Sequence, residues 1–174
     1  HSHAFQYALA GLAEHLPHYS VLDDFWSWRD AMYKLANTIS PEEMEDIAVM
    51  LYAEMLRHGY TAVAEFHYLH HNLDGSAYEE KAAMGHALLK AAHSTGIKIT
   101  LLPIFYQRGG FQDQINPLQR RFISQTADDY LDLLYQTQKL VDNTANSKLG
   151  MGIHSLRAAS SESICKIFES VPLG

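Results

Sequence analysis

Apolar and polar positions alternate along this chain in two rhythms, and the rhythms take turns. From Ser40 the order Ser-Pro-Glu-Glu sets serine at a helix N-cap, proline at the first helical position and glutamate three residues on, a capping box. Met44, Ile47, Ala48, Leu51 and Met55 then recur at helical spacing, and Arg57-His58-Gly59 is a stop. A short apolar run follows, TAVAEF from Thr61 to Phe66, which reads as a buried strand. The grammar repeats: a helix from Tyr78 to His93 ending near Gly96, then a β-branched strand from Ile97 to Phe105. Thr126-Ala127-Asp128-Asp129 caps a helix to about Val141, Leu149 to His154 reads as a strand, and Ser160 or Ser161 caps a helix through Phe168. A further helix, Phe25 to Asn37, precedes the first capped one, and HSHAF at the start reads as the end of a strand.

Strands alternating with helices imply a parallel sheet joined by helical crossovers, an α/β architecture. No glycine-rich phosphate loop follows the first strand, which argues against a dinucleotide-binding fold. Two long connections remain, His15 to Asp24 and Gln107 to Gln119.

Composition narrows the class. The 174 residues fit one domain, with 47% apolar and 19% charged residues. A net charge of −7 argues against nucleic acid or an anionic membrane as partner. No run of about 18 apolar residues marks a membrane span. The single cysteine, Cys165, forms no internal disulfide, so a reducing cytoplasm is the expected compartment, and on its helix it reads as a packed thiol.

Candidate chemistry collects where the strands end. In a parallel β/α barrel function gathers at the carboxyl ends of the strands. His1, His3 and Gln6 fall at the first such end, and His67, Tyr68, His70 and His71 at the second. Tyr106, Gln107 and Arg108 fall at the third, and His154 and Arg157 at the fourth. On a strand, residues i and i+2 share a face, so His1 and His3 are placed to bind one metal ion. The competing reading of HSH, the scar of a purification tag, weakens against this register. His154 with Arg157, taken alone, also fits a polar strand cap, and FHYLHH beside Asp74-Gly75 reads as a solvated loop. The other histidines read as surface or helix-end residues.

These segments resemble a known family. HSHAFQ followed by AGLAE resembles the first metal motif of the amidohydrolase superfamily, and specifically its N-formimino-L-glutamate deiminases. The likeness continues through FWSWRDAMY, GYTAVAEFHYLHH, LLPIFYQRGGF and GIHSLRA. It implies a (β/α)8 TIM-barrel fold, of which residues 1–174 cover about the first four β/α units, truncated at both ends. It further implies one zinc ion per subunit, with iron or manganese as substitutes, a small dicarboxylate substrate, a homodimer and a role in histidine degradation. Carried over by position, His1 and His3 are metal ligands, and Gln6, Arg29, Tyr68, His154 and Arg157 contact the substrate. The remaining ligands and the acid/base residues are expected downstream, so the chain alone is expected to be inactive. Tyr7 stands where these deiminases are expected to carry an arginine. Two rival functions remain: a related zinc amidohydrolase that deaminates a nucleobase or other cyclic amidine, and a non-catalytic barrel domain.

Overall fold

The computed structural model describes residues 1–12, 25–110 and 116–171. The expected loop from His15 to Asp24 lies outside them, as do residues 111–115 of the expected loop from Gln107 to Gln119, and from Phe25 onward the described elements alternate as the sequence predicts. Helices α1 (Phe25–Ala36) and α2 (Pro41–Arg57) lead into strand β1 (Ala62–His67), and α3 (Ala83–Thr95) into β2 (Lys98–Phe105). Helix α4 (Ala127–Asp142) leads into β3 (Ser147–Leu149) and β4 (Gly152–Ile153), and α5 (Ser161–Ser170) closes the described chain.

All pairings are parallel, and strand neighbours follow chain order. β1 pairs with β2 over Ala62↔Lys98 to His67↔Pro103. β3 and β4 both pair with β2 in one register, Ile99↔Ser147 and Ile104↔Gly152. They are one strand interrupted at Gly150 and Met151, where a Cβ on Gly150 would stand 2.3 Å from Leu102 Cδ2. Consecutive helices pack against one another on the outer face, α2 on α3, α3 on α4 and α4 on α5. The order and pairing match a (β/α)4 portion of a TIM barrel.

Local chemistry sets the boundaries. Ser40 and Thr126 each close a capping box, with Glu43 and Asp129 reaching back to the cap backbone. Ser160 caps α5 by accepting from Ser163 N. Gly96 ends α3 in the left-handed region at φ 84°, a conformation that glycine adopts without steric cost. α3 begins five residues later than its periodicity predicts, because residues 79–82 form a bend and turn that closes with Ala83 N donating to Glu80 O at 2.8 Å.

The expected first strand is reduced to a single bridge, Ser2↔Glu65. Ser2 N donates to Ala64 O at 3.0 Å and Phe66 N to Ser2 O at 2.9 Å, and then Ala4–Leu9 turn into a 3-10 helix. Cys165 is exposed rather than packed, since among the described residues of α5 only Ile167 is buried.

The core lies between sheet and helices, with Met44, Ala48 and Tyr52 of α2, Leu88, Leu89 and Ala92 of α3, and Ile99 and Leu101 of β2. One buried cation ties its upper edge. Arg121 is fully buried, and its guanidinium donates to Ala36 O, to Ile39 O at 2.8 Å, to His71 O at 2.8 Å and to Tyr78 Oη at 3.0 Å. Its own backbone carbonyl accepts from His70 N and His71 N.

Candidate metal and substrate site

The pleat of the first segment sorts its side chains. Ser2 turns toward the helices, where its hydroxyl donates to Glu65. His1 and His3 face the other side, with ring centroids 5.2 Å apart. His3 Nδ1 lies 3.1 Å from Phe66 O. A carbonyl can only accept, so Nδ1 carries the proton and Nε2 presents its lone pair, the form a metal requires. Two imidazoles so arranged fit half of a zinc site, and among the described residues no third histidine, cysteine, aspartate or glutamate joins them.

Beside His3 stands Tyr68, 5.7 Å between ring centroids, and Gln6 Nε2 donates to Tyr68 Oη at 2.7 Å. The buried Tyr68 phenol is pushed upward in pKa, chiefly by loss of solvent, so it stays protonated. Having accepted from Gln6, it keeps its own proton to donate. His154 follows β4, its ring 5.8 Å from Tyr68 and 4.4 Å from Tyr106. Its pKa is lowered to about 4 by burial first, then by Arg157 and His3, so the imidazole is neutral near pH 7.

A cavity of about 250 Å³ opens here, lined by Arg29, Tyr33, Tyr68, Tyr106, His154 and Arg157 among others. Arg29 reaches it from α1, with Cζ 4.4 Å above the Trp26 ring and 5.5 Å from that of Tyr33. Its Nε is buried with no hydrogen-bond partner among the described residues. Four sequence-predicted positions (Arg29, Tyr68, His154 and Arg157) thus meet at one cavity, with Gln6 tied to it through Tyr68 and His3 alongside.

Other strand-end residues go elsewhere. Gln107 Oε1 accepts from Ser160 N at 3.1 Å and Arg108 Nη2 donates to Ala159 O at 3.0 Å, so both secure the connection into α5. FHYLHH is no solvated loop. His67 and His70 are 4% and 2% exposed, because His67 closes β1 facing the helices and His70 Nε2 bonds Ile104 O at 3.1 Å.

Gln119 escaped sequence reading. Its Oε1 accepts from Asn116 N, which assigns Nε2 to the hydroxyls of Tyr33 and Tyr106 at 3.0 and 2.8 Å. Glu65, buried under the first segment, was equally silent, and burial raises its pKa against the hydrogen bonds it accepts.

Comparison with known proteins fixes the relationship. Over 168 residues the chain is 46% identical to formimidoylglutamate deiminase of Pseudomonas aeruginosa, covering 96% of this chain and 36% of that one. The chain belongs to the amidohydrolase superfamily. A crystal structure of an amidohydrolase from Brucella melitensis superposes with a TM-score of 0.89 at 42% identity, over 97% of this chain and 37% of that one. A triazine hydrolase variant shares the fold at TM-score 0.70 and 15% identity, over 94% of this chain and 35% of that one. No family model matches. This amidohydrolase chain therefore spans about a third of the length of the relatives it matches. No helix among its described residues is long and apolar enough to cross a membrane.

Proposed function

We propose that the full-length gene product hydrolyses N-formimino-L-glutamate to N-formyl-L-glutamate and ammonia, in the cytoplasm, as a homodimer with one zinc ion per subunit. The observation that carries the reading is the pair Arg29 and Arg157 on one cavity with Tyr68 and His154, beside His1 and His3. Two guanidiniums suit a substrate with two carboxylates, because the planar fork donates in parallel to both oxygens. The 46% identity to a formimidoylglutamate deiminase supports the same substrate.

His1 and His3 would hold the zinc, which when bound acidifies water and so makes a nucleophile available at neutral pH. The chain's own residues bind and orient. Arg29, held against Trp26 and Tyr33, would anchor a carboxylate, and its buried Nε has no hydrogen-bond partner among the described residues. Tyr68, fixed by Gln6, would donate its remaining proton, and neutral His154 would supply one directional hydrogen bond.

Ammonia release by the zinc-loaded full-length product tests this, with guanine as the competing substrate. Release from N-formimino-L-glutamate alone is expected. Release from guanine, or from neither, would retain the superfamily and discard the substrate.

A further inference from the structure

We infer that Glu65 is a positioning residue for the metal-binding segment, holding His1 and His3 in place from the opposite face of the sheet. The inference rests on reading those two histidines as ligands.

The segment needs such a hold. Its pairing with β1 consists of one bridge, Ser2↔Glu65, with two backbone hydrogen bonds, before the chain turns into the 3-10 helix at Ala4. Glu65 supplies what the short ladder lacks. Its side chain is 1% exposed and accepts three hydrogen bonds, two from the first segment and one from α2. Ser2 Oγ donates to Oε2, Ala4 N to Oε1 at 2.7 Å, and Tyr52 Oη of α2 to Oε2 at 3.1 Å. Ser2 and Ala4 bracket His3, and both are bonded to the one carboxylate. Fixing both neighbours fixes the backbone from which His3 projects, and the Phe66 carbonyl next to Glu65 then holds the His3 ring. The Ala4 N–H is a free donor at the start of a helix, which a buried acceptor must satisfy. An apolar residue at position 65 would fill the space and leave all three donors unpaired.

The test is the zinc dissociation constant of the full-length gene product, measured by chelator competition beside the melting temperature. His3→Ala sets the scale for loss of a ligand. Glu65→Leu is expected to weaken zinc binding by about 10- to 100-fold, the range for residues that orient metal ligands. Glu65→Gln, which keeps an acceptor for Ala4 N, recovers most of that loss. Ser2→Ala weakens binding by about fivefold, the worth of one hydrogen bond, and adds nothing in a Glu65→Leu background. Ser2→Ala removes one hydroxyl at a half-buried position, so it carries the test should Glu65→Leu not fold. A lower melting temperature in the Glu65 and Ser2 variants with unchanged zinc affinity would overturn the inference while leaving the metal reading intact. Undiminished zinc binding by His3→Ala would overturn both.

Discussion

His67 makes acid stability a direct report on the layer between sheet and helices. The imidazole closes β1, and α3 passes so close that a Cβ added to Gly85 would lie 4.0 Å from His67 Nε2. Burial alone lowers its pKa from the ordinary 6.5 to about 3. The folded value is the lower one, so as pH falls the unfolded chain takes up the proton first. The contribution to stability is therefore complete above pH 6.5 and is lost progressively as pH falls toward 3. Between pH 7 and pH 5 the loss amounts to about 2 kcal/mol, and below pH 3 to about 5 kcal/mol. The assay is urea denaturation of the full-length gene product and of its His67→Leu variant at both pH values. His70, 4.8 Å away and also depressed by burial, contributes its own slope to both proteins, so the comparison isolates position 67. The stability difference between wild type and variant should shift by about 2 kcal/mol against the wild type on going from pH 7 to 5. Parallel pH profiles would refute the reasoning.

Other outcomes follow from the same geometry. Arg121→Met should destabilise by about 3–5 kcal/mol in chemical denaturation, because it leaves the carbonyls of Ala36, Ile39 and His71 without their donor. Gly150→Ala should cost about 1–3 kcal/mol in the same assay, since the added Cβ must displace Leu102. With N-formimino-L-glutamate as substrate, Arg29→Met should lower kcat/KM by about 10- to 100-fold, the loss of one charge-assisted hydrogen bond. An undiminished rate would remove Arg29 from the substrate site. The 174-residue chain by itself should release no ammonia, and measurable turnover would contradict the expectation that acid/base residues lie downstream.

What the sequence made legible were features encoded locally. The boxes at Ser40 and Thr126 marked two helix starts, because a cap is a contact between residues three apart. The strand-end positions Tyr68, His154 and Arg157 converge on one cavity because parallel strands bring their carboxyl ends together, and Arg29, which only the resemblance pointed to, joins them from α1. The failures share a cause. Glu65 sits in an apolar run where one charged residue looks like an outward-facing position, and only the donors of Ser2, Ala4 and Tyr52 make it a buried one. Gln119 and Arg121 lie in a connection whose composition reads as solvent-exposed, yet Gln119 bonds Tyr33 and Tyr106, and Arg121 bonds Ala36 and His71, 13 to 86 residues away in sequence. His67 and His70 were obscured by company, since a polar run conceals which of its members the pleat turns inward.

Arg121 also imposes an order on synthesis. Ribosomes release a chain from its amino end, so α1, α2, β1, α3 and β2 all emerge before position 121. Until it arrives, the carbonyls of Ala36, Ile39 and His71 remain dependent on water, and the top of the first three helices cannot be drawn shut. One late residue then fastens three early segments in a single event. Pausing of translation shortly before that codon would lengthen the exposure of a half-built core to chaperones and proteases, and pausing after it would not.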